Sequence, residues 1–297
     1  MHAFGLDQGL ALLFGAATAL SNAIAVATQH VASTRGGQRL KAWALAVHLI
    51  RQPLWLLGWV ALLGSLIFQA LALHFGPMSL VQPILVSELV MALVVRQIWI
   101  HQNIRALTWS AALVTCAGLA TFLIATSPSG VAVVPRTSAW VGPVAASAGV
   151  AALLVVGALR GSPSRRAGLL GAATGVLWAL EATFIKAVTD TIAAVGIGGT
   201  LVRWPLYAFV LGGVFGLLAE QAALHVGPLK VSQPFIVIVD PVVSVVLGVW
   251  LYAEHLRSGL VSSVFGWAGF AAMCAGVVVL TQSAPETMHG EVHVLHQ

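Results

Sequence analysis

The sequence predicts an all-α, polytopic membrane protein of nine transmembrane helices, ten if residues 40–52 also cross, built from two inverted repeats. Three observations carry that expectation. The 297 residues are 59% hydrophobic and only 8% charged, where a soluble domain carries about 25% charged residues. Between its breaks the chain runs in nearly charge-free segments, mostly 18–25 residues long, the length that crosses roughly 30 Å of hydrocarbon. Finally, the chain repeats itself. Ala72–Pro83 returns as Ala223–Pro234 with seven of twelve positions matched (Ala, Leu, His, Gly, Pro, Gln and Pro), and Gly15-Ala-Ala-Thr18 returns as Gly171-Ala-Ala-Thr174. Internal duplication in so apolar a chain marks a protein built from two repeats around a central site.

The spans fall at 6–28, 53–74, 78–100, 108–126, 138–160, 167–192, 204–226, 229–252 and 260–281. The first and sixth open on the Gly-Ala-Ala-Thr echo. The second and seventh end in the Ala-Leu-His-x-Gly-Pro corner, where the third and eighth begin. The fourth and ninth close their repeats, and the fifth has no counterpart. The first repeat is therefore 1–137, a central span and loop 138–166, the second repeat 167–281, and the remainder, 282–297, a disordered tail. That tail carries His289, His293 and His296 beside Glu286 and Glu291.

Nine basic residues flank the spans on one side: Arg35, Arg39, Lys41, Arg51, Arg105, Arg160, Arg165, Arg166 and Lys230. Only Arg136, Arg203 and Arg257 flank the other. The richer side is expected to be cytoplasmic, giving an external N-terminus and a cytoplasmic C-terminus in a bacterial inner (plasma) membrane. Five crossings separate equivalent spans, an odd number, so the halves run oppositely through the bilayer. Leu40–Gln52 is the ambiguous stretch. Leu40, Trp43, Ala44, Val47 and Ile50 line one helical face, which suits an interfacial helix or a short tenth span that would move the N-terminus inside.

Several classes drop out. The N-terminus lacks the basic start and cleavage site of a removable signal peptide. The net charge of +5 sets orientation and does not imply nucleic acid. Cys116 and Cys274 are single residues inside spans, with no disulfide framework. There is no Gly-x-x-x-x-Gly-Lys phosphate loop, so ATP-driven transport by this chain alone is not expected. No nucleophile–base pair suggests an enzyme, and no cofactor is called for.

The repeated Ala-Leu-His-x-Gly-Pro-x-x-x-x-Gln-Pro passage and the later Leu251-Tyr-Ala-Glu254-His-Leu resemble the drug/metabolite transporter superfamily with its EamA-like repeats. The branch looks similar to bacterial relatives of NIPA-type magnesium transporters. The resemblance covers residues 6–126 and 167–281. It implies carriage of a small solute, which among relatives is an amino acid, a nucleotide-linked metabolite, a drug or a cation. It places the family's acidic residue before the last span on Glu254, where the first half departs with His101-Gln102.

Four carboxylates, Glu88, Glu181, Glu220 and Asp240, fall well inside predicted spans. At roughly 2.5–3.5 kcal/mol each on insertion scales, the set costs on the order of 10 kcal/mol unless hydrated, protonated or paired. Such groups suit a polar cavity that binds a cation, a substrate amine or a coupling proton. Thr18, Asn22, Ala25 and Gln29 form a polar stripe on span one, and the matching face of span six carries Thr174, Trp178, Glu181 and Ile185. Trp178, one turn before Glu181, could stack on a cation.

Gln82-Pro83, Gln233-Pro234 and Asp240-Pro241 predict helix breaks, because proline withholds a backbone donor. Broken helices at mid-membrane are where transporters coordinate ions and substrate groups, so Gln82, Gln233 and Asp240 join the candidates. Lys186 is spaced to pair with Asp190 four residues on, or to bind an anionic group. Arg96 is expected to snorkel to the interface. His74 and His225 belong to the tight corners.

The residues thus favour a secondary transporter of a small cationic or organic solute, coupled to protons or carrying Mg²⁺, which Asp240 and Glu181 would hold. A lipid or lipid-linked sugar flippase and a non-transporting assembly protein remain as alternatives. Membrane lipids and the solute are the expected partners, and monomer and homodimer are both open.

Overall fold

The structure, a computed structural model, describes residues 3–35, 52–99, 104–130 and 135–283. Of the ambiguous stretch 40–52 only Gln52 is described; His101, Gln102 and the histidine-bearing tail also lie outside the described residues. What is described is helical, apart from turns and one isolated bridge, Ser129 to His255. The helices are α1 (Ala3–Arg35), α2 (Pro53–Phe75), α3 (Met78–Leu85), α4 (Glu88–Trp99), α5 (Ala106–Thr126), α6 (Val141–Gly157), α7 (Pro163–Thr200), α8 (Trp204–Val226), α9 (Leu229–Tyr252) and α10 (Leu260–Ser283). Counting α3 with α4, the described residues supply nine segments long and apolar enough to cross a bilayer. Large apolar side chains such as Leu113 and Ile124 on α5 and Leu211, Phe215 and Leu218 on α8 face outward, a surface that only hydrocarbon covers favourably. The chain is a multi-pass helical membrane protein.

Local chemistry sets the ends. Proline occupies the first turn of α2, α7 and α8, where its missing N–H costs nothing. The Ser162 side chain accepts from the Arg165 N–H at the start of α7. Ser127 and Ala253 end α5 and α9 in the left-handed region, at φ 34° and 51°.

The proline expectation holds in one place only. After Pro83 the Val86 and Ser87 N–H groups turn back to the carbonyls of Pro83 and Ile84 at 3.2 and 2.9 Å. That tightens the last turn of α3 and restarts the chain as α4. By contrast, α9 runs unbroken through Pro234 and Pro241; the flanking hydrogen bonds carry the helix past both missing donors. Span six is also longer than expected, continuing to Thr200 across a kink at Gly196, φ 73°.

The duplicated sequence builds the same packing twice. In the first half α1 packs on α2, α3 and α4; in the second, α7 packs on α8 and α9. At one corner a Cβ on Gly76 would sit 2.5 Å from the Ala11 methyl. At the other, a Cβ on Gly227 would sit 2.5 Å from the Pro163 carbonyl oxygen and 2.9 Å from the Ala167 methyl. Ala11 and Ala167 are equivalent positions, 156 residues apart. Helices α5 and α10 pack mainly on each other. Gly118 lies against the Met273 backbone, Gly269 against the Phe122 N–H and Gly276 against Thr115, the close approach that small residues permit in membranes.

Gly118→Leu should therefore lower the thermal unfolding midpoint in detergent by the equivalent of about 1–3 kcal/mol, the usual cost of overpacking. Gly149→Leu, with nothing within 4 Å of its would-be Cβ, should leave it unchanged.

Candidate functional site

Three of the four intramembrane carboxylates converge. Glu88 opens α4 immediately after the break, where the dipole of a helix start favours negative charge. It lies within electrostatic reach of Glu220 on α8 and of Asp240 on α9. All three are half-buried, as expected of groups lining a cavity. Each has a neutral donor. Asn22 Nδ2 on α1 donates to Glu88 Oε2 at 3.0 Å. Ser244 Oγ donates to Asp240 Oδ1 at 3.1 Å from one turn along the same helix. The Trp178 indole N–H on α7 faces Glu220. Asn22 and Trp178 are equivalent positions in the two repeats, and each presents an N–H to a carboxylate of a neighbouring helix.

Glu181 stands apart. It is only 6% exposed, and its Oε2 has no hydrogen-bond partner. It packs into the α7–α8 seam against Gly212, Gly213 and the Phe184 ring. A Cβ on Gly212 would lie 2.6 Å from Glu181 Oε2, and one on Gly216 would lie 3.1 Å from the Trp178 ring. These three glycines, which sequence reasoning passed over, give Glu181 and Trp178 their room. Along α8, Gly212 precedes Glu220 by eight residues, about 12 Å at the helical rise, so Glu181 belongs to a different level of the bundle.

Other candidates find different roles. The hydroxyls of Thr18 and Thr174, fully buried, donate to Phe14 and Leu170 carbonyls of their own helices, each at 2.8 Å. Back-bonding to the preceding turn satisfies them without a ligand. The polar stripe on α1 thus contributes Asn22 alone among described side chains; that of Gln29 lies outside them. Gln82 is 2% exposed, with neither amide atom hydrogen-bonded, and Gln233 is half-buried. Arg96 is buried at 8% exposure rather than lying along the lipid face.

Lys186 does not form the expected pair. Its Nζ donates to the Leu73 carbonyl at 2.6 Å and approaches that of Gly76 at 3.5 Å, with Asp190 in electrostatic reach only. The free carbonyls ending α2 outcompete a side chain one turn away. Among the described residues no three His, Cys, Asp or Glu groups lie close enough together to hold an ion.

Glu254 is 3% exposed and caps a helix of the other repeat. Its Oε1 accepts from the Met78 N–H at 2.6 Å, and its Oε2 accepts from the Ser79 N–H at 2.9 Å and the Ser79 hydroxyl at 2.7 Å. Gly248 leaves space for that carboxylate.

An uncharacterized protein of Corynebacterium glutamicum is 25% identical to this chain over 256 residues, 86% of this chain and 85% of its own length. No protein-family model matches the chain, and no solved structure does.

Replacing Glu181 by Leu should raise the unfolding midpoint in detergent, because an unpartnered buried polar group costs roughly 1–3 kcal/mol. A lowered midpoint would mean that Oε2 holds a partner in the folded protein.

Proposed function

We propose that this protein is a secondary transporter of the plasma membrane that moves a small cationic solute by alternating access. The observation that carries the proposal is that Glu88, hydrogen-bonded to Asn22, has Glu220 and Asp240 of two other helices in electrostatic reach. Neutral donors orient these groups but cancel no charge. In a bilayer interior such a cluster demands a cation, either the solute or protons that leave when it binds. One site can then exchange the two, because the same negative charge serves both.

The duplicated packing supports the mechanism. Equivalent helices separated by five crossings run in opposite directions, so two similar halves can exchange conformations and open the site to each side in turn. The distribution of Lys and Arg favours an external N-terminus. An organic cation suits the cluster well, since Trp178 and Asn22 give it an amphipathic wall. Hydrated Mg²⁺ is the second reading. Magnesium keeps several waters, and spaced carboxylates with no tight cluster of metal ligands among the described residues fit a hydrated ion better than a bare one. The resemblance to NIPA-type relatives points the same way.

The test is uptake into proteoliposomes, with a Mg²⁺-sensitive dye inside one batch and a pH-sensitive dye inside another challenged with tetraphenylphosphonium. Wild type should transport at least one of the two cations. Glu88→Gln and Asp240→Asn should each cut the rate by about tenfold or more, the loss expected when about 1.4 kcal/mol or more of charge stabilisation goes. Undiminished uptake in both variants would refute the carboxylate site.

A further inference from the structure

The two ends of the bundle are built from the same repeated corner but are not secured in the same way. At the Gly76–Pro77 corner, α2 stops with unpaired carbonyls and α3 starts with unpaired N–H groups, as every helix end does. The second half of the chain supplies partners for both. Glu254, from the loop after α9, accepts the Met78 and Ser79 N–H groups and the Ser79 hydroxyl. Lys186, from α7, donates to the Leu73 carbonyl and lies 5.3 Å from the Tyr252 ring centre. The Tyr252 hydroxyl in turn donates to the Thr183 carbonyl at 3.1 Å, tying α9 to α7. The Glu254 loop is held from outside by Ser129, whose N–H and carbonyl pair with His255 at 2.9 and 2.7 Å.

The opposite corner, Gly227–Pro228, lacks this chemistry in its sequence. The position of Ser79 is taken by Lys230 and that of Lys186 by His30, and no acidic residue occurs anywhere between Glu88 and Glu181. Extended packing between halves follows the same asymmetry. Helix α2 packs along α7 at the secured end, whereas the equivalent pairing of α8 with α1 is not among the extended contacts of the described residues.

We infer that Glu254 and Lys186 are the two straps of a latch that holds the Gly76–Pro77 end of the bundle closed, so that the resting protein admits its solute from the Gly227–Pro228 end. The inference rests on the alternating-access proposal above. Each strap joins the first repeat to the second, so that end opens only when both release. Charge-assisted bonds to backbone groups make the closed state the lower one, and the sequence around the opposite corner supplies no matching carboxylate. On the charge distribution, the latched end is the external one.

The test reads accessibility, not transport. In a cysteine-free background (Cys116→Ala, Cys274→Ala), Met78→Cys places a thiol at a site with no exposed surface and keeps the backbone N–H that Glu254 caps. Labelling by a water-soluble methanethiosulfonate reagent in membrane vesicles should be slow. It should become roughly tenfold faster or more when Glu254→Gln or Lys186→Met shifts the population towards opening. Unchanged rates in both would overturn the latch. Val277→Cys, equally buried but between α5 and α10, reports unfolding. If it too becomes reactive, Ser79→Ala decides, since it removes one bond to Glu254 and leaves both N–H groups: faster Met78→Cys labelling supports the latch, and unchanged labelling overturns it. Labelling that stays slow and speeds up with Glu254→Gln or Lys186→Met, in a protein that transports neither cation, would refute the transport proposal alone. Robust transport with labelling insensitive to Glu254 would refute the latch alone.

Discussion

Hydrocarbon offers no hydrogen bonds, so each polar group inside this bundle is satisfied by the protein or left unsatisfied. The acidic side chains form a graded series under that constraint. Glu254 receives three donors, two of them backbone N–H groups, and is committed to holding two helices together. Glu88, Glu220 and Asp240 each have a neutral side-chain donor, enough to orient them but not to neutralise them. Glu181 has one oxygen without any partner. The less completely a carboxylate is satisfied at rest, the more it has to gain from a proton or a cation. The proposed division of labour between latch and binding cluster follows from this series.

Close helix approach is the second determinant, and glycine governs it. Where α7 meets α8, Gly212, Gly213 and Gly216 make room for a carboxylate and an indole. Where α5 meets α10, the same residue type makes room for backbone and for threonine side chains such as Thr115. One device thus accommodates an acidic and an aromatic side chain in one place and a close helix crossing in another. The difference lies in what the facing helix carries. Equivalent threonines behave alike: Thr18 and Thr174, both fully buried, turn their hydroxyls back onto carbonyls of their own helices.

The spans were legible because crossing roughly 30 Å of hydrocarbon imposes a length and a composition that a single sequence displays. Helices α2, α8 and α9 begin and end within a residue or so of their expected limits. Proline was a weaker guide. Pro83 precedes a break, yet Pro234 and Pro241 sit in a continuous helix, since whether neighbouring bonds compensate a missing donor depends on packing. Lys186 failed for a similar reason. Spacing of four residues makes Asp190 available, but the exposed carbonyls at the end of α2 come from more than a hundred residues away and leave no trace in local pattern.

The sequence by itself determined the membrane-spanning helical class, the duplication and the inventory of intramembrane charge, because each depends on composition and on short-range periodicity. It also named Asn22 and Trp178 as matched positions before their shared task was visible. Only the tertiary structure decided which carboxylates meet, that Glu181 stays apart from them, and that Glu254 reaches across to the first repeat. Those outcomes depend on distances between helices far apart in the chain, set by side-chain packing at crossings that no one-dimensional pattern encodes.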